Sequence, residues 1–293
     1  MSQTDSLQRF LFDEAPVRGA LVSLEDTWRH VLSRHTYPAP VRQLLGEMMA
    51  AAALLGANLK FDGTLVLQMH GTGVLRLAVV EYTHERTLRA TAKWDGAVPQ
   101  NAPLPALLGS GGRFVLTLEP KVDKSQTWQG IVALEGDTVG AMLENYMLRS
   151  EQLDTRLILA ADESRAGGLL LQRLPDGHGD PDGWPRARSL ADTLKAEELL
   201  TLAPLDILHR LYHEETVRVF DEEHLAFACT CSRERVADML KMVGALEAAS
   251  ILQEQGSVEI GCDFCNQRYV FDEDEVDEIF QMHVLDAARE ARH

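Results

Sequence analysis

The sequence predicts an α+β protein: an amino-terminal domain of antiparallel sheet with packed helices, a helical linker, and a small carboxy-terminal four-cysteine domain. Three observations carry this. Apolar residues change period from 3.6 to 2 early in the chain, LPDGHGDPDGWPRAR (174–188) interrupts the pattern with Pro, Gly and Asp, and all four cysteines lie in the last quarter. At 293 residues the chain exceeds one comfortable core, so two domains, one smaller, are expected. We read 1–175 as the core domain, 176–224 as the linker and 225–293 as the cysteine domain.

The clearest helix is PAPVRQLLGEMMAAAALLGANLK (38–60), with Pro40 suited to a first turn, an Ala/Leu/Met interior, and Asn58 and Gly63 near its stop. The period then changes to two. Leu65, Leu67 and Met69 alternate, followed by Leu75, Leu77 and Val79, then Leu88, Ala90 and Ala92. Gly71-Thr72-Gly73 and Thr83–Arg86 separate these runs, which together predict an antiparallel meander. Further strands are expected at 113–119, 128–134 and 168–174, and a helix at about 138–150 behind Asp137 and Thr138, which can cap its free amides. In the linker, Leu190, Leu194, Leu199, Leu202, Leu205, Leu208, Leu211 and Tyr212 are spaced as an apolar stripe broken at Pro204. Short helices are marginal alone in water, so that stripe must pack against something.

Composition excludes some functions. With 45 acidic against 28 basic side chains, a net charge of −17 repels nucleic acid and anionic lipid surfaces. The longest apolar run, MMAAAALL (48–55), is too short to span a bilayer. The opening MSQTDSLQRFLFDE has no basic segment followed by an apolar one, so a cytoplasmic protein is expected. In that reducing compartment four cysteines are ligands or redox groups rather than structural disulfides.

The cysteines form one C-x-C (Cys229, Cys231) and one C-x-x-C (Cys262, Cys265). Tetrahedral Zn–S bonds of about 2.3 Å put neighbouring sulfurs roughly 3.8 Å apart. A tight turn meets this for C-x-x-C, and a bent extended segment meets it for C-x-C, where alternate residues share a direction. Thirty residues separate Cys231 from Cys262, including RERVADMLKMVGALEAASILQE, read as one helix able to bring the motifs together. A four-thiolate zinc site is the reading these residues support, with His224 a possible substitute ligand. Zinc in such a site supplies on the order of 10–16 kcal/mol. Disulfides between motif neighbours would supply about 3–4 kcal/mol together and would not join one motif to the other. They would be strained and readily reduced, as a reversible signal requires.

C-T-C-S-R and G-C-D-F-C resemble the zinc-binding motifs of the redox-regulated 33-kilodalton heat-shock chaperone family. RFLFDEAPVRGALVSL (9–24), HTYPAPVRQLLGE (35–47) and AGGLLLQRLPD (166–176) resemble further segments of that family in the same order. The pattern departs at Asn266, where a Gly is expected close behind the last cysteine. The resemblance implies an ATP-independent holdase, folded and largely inactive when reduced and zinc-bound. It implies that oxidation converts Cys229, Cys231, Cys262 and Cys265 to two disulfides and releases zinc. The linker then unfolds and unfolding client proteins are captured, often by a dimer. It makes the linker metastable, with Leu205, Leu208, Leu211 and Tyr212 as candidate client-binding residues. Four cysteines allow three pairings, and nearness in sequence favours Cys229 with Cys231 and Cys262 with Cys265.

Two other functions were weighed. A zinc-ribbon nucleic-acid binder conflicts with charge, since 229–270 holds four basic and six acidic side chains. A C-x-x-C thiol–disulfide oxidoreductase needs its motif where a strand enters a helix, whereas RYVF (268–271) follows here and reads as strand. His209 and His213 lack the Glu of H-E-x-x-H and read as solvated helix surface, the Gly-rich turns precede strands rather than phosphate-binding helices, and no P-loop occurs. The acidic FDEDEVDE (271–278) reads as a solvated face.

Overall fold

The helix expected over 38–60 is the element around which the amino-terminal residues fold. The computed structural model describes residues 5–59, 62–122, 126–175 and 179–290, and divides at Ala228 into two compact units. The expected helix end at Lys60 and the turn at 176–178 fall outside the described residues.

In the first unit the chain runs β1 (Ser6–Phe12), β2 (Val17–Leu24), α1 (Asp26–Leu32), α2 (Ala39–Gly56), β3 (Gly63–His70), β4 (Leu75–Thr83), β5 (Thr87–Trp94), α3 (Leu104–Leu108), β6 (Arg113–Pro120) and β7 (Trp128–Val132). It continues through α4 (Val139–Ser150), β8 (Thr155–Ala161), β9 (Ala166–Arg173), α5 (Gly183–Ala191), α6 (Ala196–Thr201), α7 (Pro204–Tyr212), β10 (Val217–Val219), β11 (Glu223–His224) and β12 (Ala226–Phe227). One sheet has the order β10-β1-β2-β9-β8, with β11 also on β1; the other runs β12-β5-β4-β3-β6-β7. Every pairing is antiparallel except β12 on β5.

Helix α2 contacts strands of both sheets. Its run Met48–Leu54 is wholly buried, as for a helix that is apolar all round. Small residues set the approach: a Cβ on Gly46 would lie 2.4 Å from that of Ala161. The expected meander is β3–β5, and the helix over 138–150 is α4, with Thr138 Oγ1 accepting from the Ala141 amide at 3.1 Å.

Strands β1, β2 and β8 carry no clean alternation because their sheet is buried on both faces, where strands read as continuous apolar runs. Toward α2 it presents Leu7, Ala20, Val22 and Leu170. Its other face presents Phe10, Phe12, Val17, Leu21, Leu169 and Leu171, which pack with Trp184, Ala187, Ala191, Leu194, Leu199, Ile207, Leu208, Leu211 and Tyr212. Residues expected to form a linker therefore form a third layer on this sheet. The interrupted stretch 174–188 does not stay a loop, since α5 begins within it and Trp184 Nε1 donates to Asp154 Oδ2 at 2.8 Å. Gly183 and Pro185 occupy the first turn, where a missing N–H is tolerated. The stripe also needs correction. Pro204 starts α7 so that Ile207, Leu208, Leu211 and Tyr212 share the buried face, while Leu202 and Leu205 are 37% and 58% exposed.

The second unit holds α8 (Arg233–Val243), α9 (Ala245–Gln255), β13 (Val258–Gly261), β14 (Arg268–Phe271) and α10 (Glu273–Glu290), around a core of Val236, Leu240, Ala248, Val258, Phe271, Val276 and Ile279. The single helix expected over 233–254 is two. Gly244 takes φ 102°, ψ 150°, which an L side chain rarely adopts; its N–H caps Leu240 and its carbonyl accepts from Ala248. FDEDEVDE is more than a solvated face. Phe271 and Val276 are buried, and Asp272 and Glu275 form a reciprocal capping box at the start of α10.

Glu47 on α2 lies in a cleft with Asn101, Leu104 and Thr138, and accepts from Gln43 Nε2 at 2.9 Å. Burial raises its carboxyl to about 7. The folded state thus holds a proton that the unfolded chain releases near 4.5, so stability is full below that pH and declines as pH rises through about 7. Glu47→Gln is expected to match the parent at pH 4 and exceed it at pH 8 by on the order of 1 kcal/mol, because part of the side chain stays hydrated. Urea unfolding followed by tryptophan fluorescence checks this, since all four tryptophans lie in the first unit.

Candidate metal centre

Both cysteine motifs belong to the second unit, and each is held by a different local device. Cys229 and Cys231 lie in the irregular segment before α8, whose first turn is capped by Ser232 Oγ accepting from the Arg235 amide at 3.3 Å. Cys262 and Cys265 occupy the turn of the β13–β14 hairpin, in which Ile260 faces Tyr269 and Gly261 faces Arg268. That turn is closed by Cys262 N–H to Gln267 O at 2.9 Å and Asn266 N–H to Cys262 O at 2.8 Å. Asn266 takes φ 59°, the left-handed conformation that asparagine tolerates better than other non-glycine residues. The departure from the expected glycine therefore preserves the turn.

The four sulfurs converge. Cys229 Sγ lies 3.6 Å from Cys262 Sγ and Cys231 Sγ 3.4 Å from Cys265 Sγ, with all four within 4.8 Å of one another. These are the spacings expected of thiolates around one tetrahedral cation, roughly 3.8 Å edge to edge. Burial pushes the Cys262 and Cys265 thiols above the ordinary thiol range, and at Cys265 the neighbouring sulfurs add to it. Backbone amides of Phe264 and Cys265 point at Cys262 Sγ, and that of Gln267 at Cys265 Sγ, as donors to sulfur charge. Four half-buried thiols repel one another once ionised, and a divalent ion among them removes that repulsion. The donor set fits a soft or borderline cation such as zinc.

Outside the sulfurs, Tyr269 Oη donates to Cys231 Sγ at 3.1 Å, and that bond is the main reason its phenol is raised to about 12. Sequence reasoning saw Tyr269 only as part of a strand, since nothing in RYVF announces a hydroxyl aimed at sulfur. Arg233 was missed as well. Its Nη2 donates to Val270 O at 2.7 Å and pairs with Glu275 at 2.5 Å, while its guanidinium lies 4.4 Å from the Phe271 ring centroid. It thereby ties α8 to β14 and α10. His224, considered as a substitute ligand, is a β11 residue in register with Ser6. Of the candidate client-binding residues, Leu208, Leu211 and Tyr212 are buried on the first sheet and Leu205 faces outward.

An α+β chain with a sheet covered by short helices, followed by a cluster of four thiols that could hold a metal ion, is the class of protein that the fold and the site define. The family model described as Hsp33 protein matches residues 5–272. The 33 kDa chaperonin of Chromobacterium violaceum is 64% identical over 293 residues, covering 100% of this chain and 99% of that protein. The 33 kDa chaperonin of Neisseria meningitidis serogroup A is 48% identical, covering 99% and 96%. The crystal structure of the 33 kDa chaperonin from Thermotoga maritima shares the fold with a TM-score of 0.83 at 23% identity, covering 96% of this chain and 99% of that one. The chain belongs to the Hsp33 family, and is a redox-regulated chaperone.

The turn makes a local prediction. Asn266→Val places a β-branched residue at φ 59° and is expected to destabilise the second unit by about 1–2 kcal/mol, whereas Asn266→Gly leaves it unchanged or slightly firmer. Amide hydrogen exchange over 258–271 checks both variants.

Proposed function

We propose that this chain is an ATP-independent holdase whose resting form is held by zinc on Cys229, Cys231, Cys262 and Cys265, and whose strap, residues 183–224, is released when those thiols are oxidised. The observation that carries this is the convergence of four sulfurs from two motifs thirty residues apart. When bound, zinc supplies a tether between the motifs worth on the order of 10–16 kcal/mol. The chain supplies the rest. Cys229 and Cys231, like Cys262 and Cys265, are paired in the oxidised form by nearness in sequence. Each pair of thiolates gives two electrons to one peroxide, one S–S bond forms as the O–O bond breaks, and with two protons taken from solvent the peroxide leaves as two waters. Neither bond joins the motifs, and a unit of this size without a staple is marginal.

The strap is suited to release. Helices α5, α6 and α7 have nine, six and nine residues, too short to persist alone. Its ion pairs, Arg186–Glu215 at 2.5 Å, Arg156–Asp192 at 2.5 Å and Arg210–Glu198 at 2.6 Å, are part-exposed and contribute little each. Apolar contact holds it, including the edge-on Phe12–Tyr212 pair with centroids 5.0 Å apart. Its far end is anchored by β10, β11 and β12, of three, two and two residues, and Cys229 follows one residue after β12. Release presents two apolar surfaces to clients: Leu208, Leu211 and Tyr212 with the already exposed Leu205, and the sheet face of Phe10, Phe12, Val17, Leu21, Leu169 and Leu171. The oxidised chain pairs with a second copy through the same surfaces. Its place of action is the cytoplasm, where thiols stay reduced until an oxidant arrives.

Reduced protein is expected to carry one zinc per chain by elemental analysis. Peroxide with mild heat should remove it while light scattering shows suppression of client aggregation; reduced protein without zinc would overturn the reading. Mass mapping of the oxidised chain is expected to find Cys229–Cys231 and Cys262–Cys265. In the folded unit two sulfur separations that cross between motifs are 3.6 and 3.4 Å, so chiefly crossed bonds would mean that oxidation locks the unit rather than opening it.

The strap has its own test. Leu208→Glu puts an unpaired charge among buried contacts and is expected to undock α7 without oxidation. The reduced variant should keep its zinc, suppress client aggregation in part, and be cut by trypsin near Arg210 or Arg218 faster than the parent. Leu205→Glu, on the exposed side, should behave as the parent. A protease-resistant, inactive Leu208→Glu protein would show that the strap is not the latch.

A further inference from the structure

A cavity of about 460 Å³ opens in the first unit, between the C-terminal end of α2 and the inner faces of the two sheets. Its wall is apolar, with Leu55, Leu65, Leu116, Leu118, Trp128 and Met147, and Trp128 is 41% exposed. One cation enters it. Arg18 on β2 sits opposite Gln172 on β9 in register, and its Nε and Nη2 both donate to Gln172 Oε1, at 3.1 and 2.8 Å. Gln172 is buried, and its Nε2 donates to Thr155 Oγ1 at 3.2 Å, which fixes the amide with its oxygen toward the arginine.

Arg18 has no carboxylate partner among the described residues, and its Nη1 pair is left without an acceptor. In a chain with 45 acidic against 28 basic side chains this is notable, because most half-buried arginines here are ion-paired. Burial also pulls its guanidinium below the ordinary arginine range. Glu151, the acid lining the cavity, does not pair with Arg18; its Oε1 accepts from Tyr146 Oη, another lining residue, at 2.9 Å. The Arg18 guanidinium is half desolvated, two of its donors are held by the neutral Gln172 amide, and the nitrogen left over is open to a ligand entering the cavity. Its planar fork matches a carboxylate bidentately.

We propose that this cavity binds an amphipathic carboxylate, a free fatty-acyl anion whose tail lies along Leu55, Leu65, Leu116 and Leu118 and whose head pairs with Arg18. The volume lies in the range of small-ligand sites. The site uses none of the cysteines and no part of the strap, so it stands independently of the oxidation switch.

The test is calorimetric titration of the reduced full-length chain with decanoate, acetate and decyltrimethylammonium, all below micelle formation. Decanoate is expected to bind saturably at one per chain, with acetate undetectable and the cationic amphiphile at least tenfold weaker. Arg18→Met should weaken decanoate at least tenfold and Arg18→Lys should recover part of that loss. Leu118→Trp, which fills the cavity and leaves the charge, should abolish binding. Unchanged urea midpoints show that the variants fold. The proposal is overturned if the parent shows no saturable binding, if Arg18→Met binds as the parent does, or if the two amphiphiles bind alike.

Discussion

The first sheet is apolar on both faces, and the rest of the molecule answers to that constraint. On one side α2 and the second sheet cover it permanently. On the other, Phe10, Phe12, Val17, Leu21, Leu169 and Leu171 are covered by helices too short to stand alone. A sheet face of this kind cannot be left open in a resting protein without inviting association. The chain therefore needs a cover, and the function proposed above has that cover come off. The cover is held by burial, a diffuse and cooperative force, rather than by strong individual bonds.

That arrangement separates sensing from capture. The chemistry proposed for sensing is confined to four sulfurs within 4.8 Å of one another, while the surface proposed for clients belongs to the other unit. Chain continuity is the direct link, since Ala228 N–H donates to Leu88 O at 3.2 Å and the next residue is Cys229. Tyr269 and the amides around Cys262 and Cys265 offset part of the cost that burial and the neighbouring sulfurs place on sulfur charge.

Much of the site was legible beforehand for a chemical reason. Metal coordination restricts residue type and spacing so strongly that C-x-C and C-x-x-C identify their own ligands. Their supports were not legible. Arg233 and Tyr269 act through distances across 37 to 42 positions of sequence, and no local pattern encodes that. The expected glycine at 266 shows the opposite case: the conformation was required, and asparagine meets it by another route.

By itself the sequence determined α2, the meander, α4 with its Thr138 cap and the two cysteine motifs that cluster, because each rests on periodicity, capping or spacing among near neighbours. It also placed the strap's apolar residues, though it counted Leu202 and Leu205 among them and passed over Ile207. Only the tertiary structure decided which strands are buried on both faces, that α5 starts inside a Pro- and Gly-rich stretch, and that the intended linker is a third layer. Those outcomes depend on what lies across from each residue. A doubly buried strand loses the alternation that reveals strands, and a breaker-rich segment folds when a distant apolar face offers it enough contact.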